Sequence, residues 1–269
     1  MAARAEDVGV RKARLDSVSL FVLGVLAGAF ISLGAVAATT VGAGDLPFGV
    51  ARLLSGIAFS LGLILIIVGG AELFTGNTLI IMAWASGKVS TTLVLRNWSI
   101  VYAGNLAGAV ATAVVMFVSG QYTFGAGSVG LAALTIGNAK AGLEFVPAVA
   151  LGMMCNGLVC LAVWMTFSAR TTTDRIMAIV PPITAFVAAG FEHSVANMYF
   201  IPEAVAIRSL APATFWETIG RAPSDFPNLT VAGFLANLVP VTIGNVIGGA
   251  VMVGIVYWFI YRRASQSPA

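Results

Sequence analysis

The chain has 269 residues, of which 59% are hydrophobic and only 9% are charged, and its net charge is +3. So few charged side chains cannot cover a soluble globule, in which about 25% of residues are charged, and a small net charge without a dense basic patch does not indicate a nucleic-acid partner. The composition therefore weighs against a soluble enzyme, a nucleic-acid-binding protein and a disordered linker, and it favours an integral membrane protein solvated by lipid.

Six apolar runs follow one another along the chain, separated by charged or Gly- and Pro-rich stretches. A membrane-spanning helix needs about 20 apolar residues, and the alternation typical of a lipid-facing β-strand is absent. We therefore predict six transmembrane helices. The runs cover residues 18–39, 51–69, 98–118, 143–168, 176–190 and 230–261.

The second and fifth runs are interrupted by polar residues. The second continues into GGAELFTGNTLIIMAW and the fifth into AAGFEHSVANMYFIP. Irregular backbone at membrane depth must face the protein interior or a water-filled lumen, and the N-terminal end of a half-helix offers unpaired N–H groups that suit a small anion. A matched pair of interrupted segments in a transporter indicates the substrate path.

The distribution of positive charge predicts the orientation. With six spans, ten of the 14 Lys and Arg residues fall on one side of the membrane. Because positive residues accumulate on the cytoplasmic side, both termini are predicted to be cytoplasmic, in the inner or plasma membrane. No cleaved signal peptide is predicted at the N-terminus. The expected divisions are a cytoplasmic segment 1–17, a single transmembrane domain 18–262 and a cytoplasmic tail 263–269.

Three sequence patterns occur twice, in the same order, in units of about 18–120 and 141–262. Each unit holds three spans, an odd number, so the second unit must enter the membrane from the opposite side. The sequence therefore predicts an inverted repeat, with the substrate bound near the midplane where the units meet. The patterns are G-x-E-x-x-x-x-N from Gly70 and Gly190, G-N-x-x-G from Gly104 and Gly244, and F-V-x-x-V-x-x-G from Phe21 and Phe145.

The only histidine, His193, lies in the fifth, interrupted run. An ionisable side chain inside a membrane segment indicates function by default, and histidine titrates near neutral pH, so it suits a weak-acid anion. The alternative is a buried neutral histidine satisfied by a neighbour. Thr75, in the first break, is the hydroxyl predicted to face it. A single histidine without a second ligand nearby is a poor metal site, so no metal is predicted.

Glu72 and Glu192 occupy equivalent positions in the two units. Because a carboxylate would repel an anion, we predict that each holds its broken helix, with Asn77 and Asn197 holding the same breaks. Lys140 lies just before the fourth span and is predicted to gather anions into a vestibule. A solvated interfacial lysine is the alternative interpretation.

Other functions find less support in the motifs. Glu192, His193 and Ser194 are the residue types of a hydrolase triad, but adjacent residues point in different directions. There is no P-loop, dinucleotide fingerprint, HExxH or pair of CxxC motifs, so neither an enzyme nor a cofactor is predicted. Cys155 and Cys160 fall on different helix faces and are expected to pack in the core. A water or glycerol pore would be expected to carry Asn-Pro-Ala at its breaks, which read FTGN and HSVAN here.

Five stretches from residue 18 to 262 together resemble the formate/nitrite transporter family. They are AELFTGNTL, NWSIVYAGNLAGA, CNGLVCLAVWMTFSAR, the run from GFEHSVANM to IPEA, and PVTIGNVIGG. The stretches VCLAVWM, GFEHSVANM and LVPVTIGN are most similar to the formate-channel branch. The resemblance implies an all-α, aquaporin-like bundle of six helices with helices two and five broken, assembled as a homopentamer with one pore in each protomer.

The resemblance also implies a function and a set of site residues. The function is a membrane channel or transporter for formate or a similar small monocarboxylate, with nitrite or hydrosulfide as the alternative substrates; its partners are the lipid bilayer and copies of itself. The implied pathway residues are His193, Thr75, Asn156, Asn197, Glu192 and Lys140. The implied constrictions are formed by Phe59, Leu63 and Phe186 and, on the cytoplasmic side, by Leu73, Phe74 and Val159. Glu72 stands where relatives often show Asp.

A mechanism follows from this arrangement. An ion pays heavily for desolvation at an apolar constriction, whereas the neutral acid does not. Formate is therefore expected to pass as the neutral acid, or with a proton, through His193.

Overall fold

A computed structural model describes residues 1–263, which form only helices and their connections. The predicted tail at 263–269 lies, apart from Arg263, outside the described residues. The helices are α1 (Ala2–Ala13), α2 (Ser17–Gly42), α3 (Phe48–Gly69), α4 (Phe74–Asn77), α5 (Ile81–Ala85), α6 (Thr91–Val118), α7 (Ser128–Ala141), α8 (Phe145–Thr166), α9 (Thr172–Ala189), α10 (Ser194–Leu210), α11 (Ala213–Ile219), α12 (Val231–Val246) and α13 (Val256–Tyr261), with a π-helix (Ile247–Ile255) joining the last two.

Among residues 1–263, five helical segments are long and apolar enough to cross a membrane: α2, α3, α6, α8 and the continuous segment Val231–Tyr261. The pair α9 and α10, bent by 52° at its break, makes a sixth. The all-α membrane bundle predicted from the sequence is confirmed. The third span is longer than predicted, because Ser90 caps α6 by accepting the N–H of Leu93 and so starts the helix at Thr91 rather than near residue 98.

The two interrupted spans break at glycines. Gly70 ends α3 and Gly190 ends α9, and both have a left-handed backbone, with φ of 83° and 77°. A residue with a Cβ is disfavoured in this conformation, whereas glycine adopts it freely. The repeated G-x-E pattern is thus a helix stop followed by a carboxylate in the break.

Helix α1 was not predicted from the sequence, and its inner face is buried. Glu6 is fully buried and accepts hydrogen bonds from Lys88 (2.7 Å), Arg262 (2.9 and 3.1 Å) and Ser86. These contacts bring the N-terminus, the loop after α5 and the C-terminal end of the last span together. Lys88 and Arg262, two of the cations predicted to share one side of the membrane, therefore meet at one end of the bundle; that this end is cytoplasmic stays a prediction.

Glu6→Gln is expected to loosen α1. Although burial alone would raise the pKa of Glu6, hydrogen bonds from Arg262, Lys88 and Ser86 hold it below its usual value. Because the pKa is lower in the folded protein, the stabilisation is complete above the pKa of an unfolded glutamate and is lost as pH falls through the lower, folded value. Faster amide hydrogen exchange throughout α1 is the expected result. The exposed neighbour Asp7 supplies the control: Asp7→Asn should exchange like the wild type, and equal exchange in both variants would contradict the anchoring role.

Helices α7 and α11 form a second apolar core, in a region where the sequence predicted only connections. α7 packs against α10, and Leu134, Ile201 and Phe215 are buried between these elements. This core supports α10, the second half of the broken span, so it contributes to the position of residue 193 at the start of α10.

Candidate functional site

His193 caps the N-terminus of α10 and faces the first break. Its Nδ1 accepts the N–H of Ala196 at 3.1 Å, so this nitrogen carries no proton in the neutral ring. The proton is then on Nε2, which lies 3.0 Å from Oγ1 of Thr75 and donates to it. Both side chains are buried. The structure therefore brings the predicted histidine and threonine together as a neutral, hydrogen-bonded pair.

Three side chains hold the carbonyl oxygen of Thr75. It accepts hydrogen bonds from Thr78 Oγ1 (2.6 Å), Asn156 Nδ2 (3.2 Å) and Cys160 Sγ (3.4 Å). Asn156 also donates to the carbonyl of Asn245 at 2.6 Å. The implied site residue Asn156 thus ties the first break to the last span. Cys155 and Cys160 are both free and buried.

At each break, a lysine, a glutamate and two asparagines from different helices form a hydrogen-bonded group. In the first, Glu72 accepts from Lys12 Nζ (2.9 Å) and from Asn77 Nδ2 (2.7 Å), and Asn77 Nδ2 also donates to Asn97 (2.9 Å). Asn97 donates to the carbonyl of Lys12 at 3.0 Å and so closes the group. The glutamate is satisfied without any substrate.

The second break repeats this arrangement with different residues. Glu192 accepts from Lys140 Nζ (2.7 Å) and Asn197 Nδ2 (2.6 Å), Asn197 donates to Asn237 (2.7 Å), and Asn237 donates to the carbonyl of Lys140 (2.7 Å). The two groups differ in one contact. Lys12 also donates to Oδ1 of Asn77 at 2.9 Å, whereas Oδ1 of Asn197 is buried without a hydrogen-bond partner among residues 1–263.

Sequence reasoning missed three members of these groups: Lys12, Asn97 and Asn237. The two asparagines carried a usable signal, because they are separated by the same distance in sequence as Gly104 and Gly244. Lys12 carried none, since it is in α1, which precedes the repeated units.

Within residues 1–263, one cavity borders His193 and another borders the first break. The Lys140 cavity, of about 100 Å³, is lined by Lys140, His193, Phe59 and Phe186 among others. The α1 cavity, of about 310 Å³, includes Lys12, Glu72, Leu63, Leu73 and Gly76, the residue that follows Thr75. Because His193 borders one cavity and the neighbours of Thr75 border the other, the pair lies between them.

The six implied constriction residues all belong to one buried apolar core. Phe59 and Phe186 pack edge to face with ring centroids 5.5 Å apart, and the His193 ring stacks on Phe186 at 6.1 Å. Leu63 and Leu73 line the α1 cavity.

Phe74 and Val159 are buried but line neither cavity. Phe74 instead packs edge to face on Trp98 and Tyr102, with ring centroids 6.2 and 4.9 Å apart. Within residues 1–263, no group of three or more His, Cys, Asp or Glu side chains is placed to hold a metal ion.

The sequence model of the formate/nitrite transporter family matches residues 1–259. The chain belongs to the formate/nitrite transporter family. The formate channel FocA of Escherichia coli (strain K12) is 47% identical over 269 residues, which cover 99% of this chain and 94% of that protein. The formate channel FocA of Haemophilus influenzae is 39% identical, covering 93% of this chain and 89% of that protein.

Two solved structures of similar chains show the fold of this family. A pentameric formate channel with formate bound has a TM-score of 0.87 and 46% sequence identity, covering 91% of this chain and 97% of that one. An FNT family ion channel has a TM-score of 0.81 and 30% identity, covering 96% and 98%. The resemblance drawn from the sequence motifs is thereby confirmed, and the chain is a multi-pass membrane protein of a family of channels and transporters.

Proposed function

We propose that this protein is a formate channel or transporter, not an enzyme, and that formate crosses it as the neutral acid or together with a proton. One observation carries the proposal: a buried, neutral His193 bonded to Thr75 lies between two cavities in a chain 47% identical to a formate channel. A small monocarboxylate with one exchangeable proton suits a site of this size and polarity.

The proposed passage is limited by the cost of desolvating charge. The aromatic pair Phe59 and Phe186 beside His193 offers formate no replacement for its water, so the anion is strongly disfavoured there. Since Thr75 Oγ1 accepts a bond from His193, its own hydrogen remains for a formate oxygen. Formate and one proton from the solution on the entry side combine at this pair, cross as formic acid, and separate again on the other side. The pair returns to its neutral state, and the net result is that one formate and one proton cross together.

The remaining parts of the proposal concern assembly and orientation. The solved relative with formate bound is described as pentameric, and we assign the same homopentamer to this chain, with one pore in each protomer. We assign the protein to the inner or plasma membrane, with both termini in the cytoplasm. Lys140 then lies on the outer side. Residues 18–262 form the channel domain, built from the two inverted units.

Purified protein in liposomes provides the test. Formate, nitrite, acetate and hydrosulfide fluxes are compared across pH with those of protein-free vesicles. Formate is expected to be carried fastest, and its flux is expected to rise as pH falls, because more of it is then the neutral acid. Faster transport of nitrite or hydrosulfide, or a formate flux equal to that of empty vesicles, would refute the proposal.

Lys140→Met is expected to lower the formate flux about tenfold at low ionic strength. The substitution removes the cation and leaves the Glu192 carboxylate, now unpaired, to repel the incoming anion. The double variant Lys140→Met, Glu192→Gln removes both charges and should recover much of the flux. If the double variant is slower than the single variant, the lysine does not act by balancing Glu192.

A further inference from the structure

Asn105, on α6, is buried against the first break and uses its whole side-chain amide there. Its Nδ2 donates to the carbonyls of Gly24 (2.8 Å) and Glu72 (3.0 Å), and its Oδ1 accepts the N–H of Phe74 (2.9 Å). Two of these contacts are to the residues immediately before and after Leu73. One side chain therefore fixes the backbone on both sides of a cavity-lining leucine.

Asn245, on α12, makes the same three contacts in the second break. Its Nδ2 donates to the carbonyls of Gly152 (2.8 Å) and Glu192 (2.9 Å), and its Oδ1 accepts the N–H of Ser194 (2.9 Å). Here the fixed backbone lies on both sides of His193. The matched contacts show a single device used once in each half of the chain.

The need for this device follows from the breaks. Where a helix is interrupted inside a membrane, backbone N–H and C=O groups lose their helical partners and no bulk water replaces them. The N–H groups of Glu72 and Glu192 bond to the carbonyls of Leu23 (3.2 Å) and Leu151 (3.3 Å). The carbonyls of the same glutamates accept hydrogen bonds from Asn105 and Asn245. The same two asparagines accept the N–H groups two residues later, those of Phe74 and Ser194. A carboxamide offers both donors and an acceptor, whereas a carboxylate offers only acceptors.

The glycines of the G-N-x-x-G patterns allow the asparagines to reach the breaks. A Cβ on Gly108 would collide with the carbonyl oxygen of Val25, and a Cβ on Gly248 with that of Met153. The helices therefore cross in backbone contact, and an asparagine side chain is long enough to span both the neighbouring helix and the break. The G-N-x-x-G pattern therefore allows the asparagine to bond to the break, in addition to allowing close helix packing.

We propose that Asn105 and Asn245 are positioning residues for transport, with separate effects. Asn245 sets the imidazole of His193 against Thr75, and Asn105 sets the constriction at Leu73 and Phe74. The inference rests on the proposed function in assigning transport roles to these residues, but the placement of the imidazole is measured independently of transport. The two residues should therefore differ in pH dependence and in size selectivity.

The test compares Asn245→Asp with Asn105→Asp, each of which keeps the acceptor and loses the two donors. In liposomes, Asn245→Asp is expected to lower formate flux about tenfold, because the two buried hydrogen bonds that Nδ2 donates are lost, and to displace the midpoint of its pH profile. Asn105→Asp is expected to keep that midpoint and change the formate-to-acetate flux ratio severalfold. A merely structural role would reduce folded protein and flux in proportion, with the midpoint and the ratio unchanged, and this result would overturn the proposal.

The single histidine allows a second measurement that needs no transport. In protein labelled with ¹⁵N-histidine, the wild type should show one imidazole protonated on Nε2. Asn245→Asp should change these ring signals and Asn105→Asp should not; identical signals in all three proteins would refute the role of Asn245. If the wild type carries no formate but the ring signals behave as stated, the proposed function fails and the positioning of His193 stands. Where an aspartate variant does not fold, the corresponding Asn→Ser variant replaces it.

Discussion

His193→Ala is expected to lower the formate flux about 100-fold, the loss typical of removing one polar group from a charge-stabilising site. The flux through this variant should then vary with pH only as much as the fraction of formic acid in solution does, because the additional pH dependence supplied by the histidine is lost. The reason is geometric: the Nε2–H to Thr75 bond holds the only imidazole of the chain between the two cavities. Without it, formate meets the Phe59–Phe186 barrier with no group at which to gain its proton. Stopped-flow flux measurements in liposomes from low to neutral pH provide the check.

The alanine variant also removes the N-terminal cap of α10, so its effect needs a matched control. Asparagine is among the best N-cap residues, and His193→Asn should preserve the acceptor for the Ala196 N–H. We expect this variant to unfold at a temperature close to that of the wild type and still to lack the imidazole-dependent flux. Formate transport by His193→Asn at the wild-type rate and pH dependence would show that the histidine is only a helix cap.

Gly248→Ala is expected to destabilise the protein by about 3 kcal/mol, the upper part of the range for an overpacked core. The added Cβ would collide with the backbone oxygen of Met153, and backbone cannot rotate away as a side chain can. Separation of the last span from α8 would also disturb the bond from Asn156 to the carbonyl of Asn245. Thermal unfolding of the purified protein in detergent measures the loss.

Gly157, on α8, supplies the control. In the described part of the chain, residues 1–263, a Cβ at this position meets no atom within 4 Å outside the neighbouring backbone of its own helix. Gly157→Ala should therefore leave stability unchanged or raise it by about 0.5–1 kcal/mol through helix propensity. Equal destabilisation by both substitutions would mean that the loss comes from something other than the helix crossing.

Much of the fold was predictable because the repeated patterns have local causes. Gly70 and Gly190 end helices in a left-handed backbone conformation that glycine adopts freely. The polar residues that follow them lower the local hydropathy and so indicate where the spans are interrupted. The pairing of His193 with Thr75 was also predictable, because an inverted repeat brings equivalent breaks to the same depth.

What could not be predicted depends on contacts between distant segments. Lys12 bonds to Glu72 only because α1 folds back under the bundle, and no local pattern in residues 1–17 indicates that partner. Asn97 and Asn237 occupy equivalent positions in the two units, but their matched spacing does not show that they bond to Asn77 and Asn197. The π-helix, in which Gly249 lies beside Asn156, has the sequence of an ordinary apolar helix, so no local pattern predicts it.

The carbonyl of Thr75 has a consequence for how the protein is made. Two of its donors, Asn156 and Cys160, come from α8, and the histidine that binds its hydroxyl follows later still. A nascent chain that has inserted only its first three spans therefore holds half of the site, with Thr78 as the only one of the three donors to this oxygen. The histidine–threonine pair therefore forms only when the second half is inserted and docks on the first, and the pathway proposed for formic acid is complete only then.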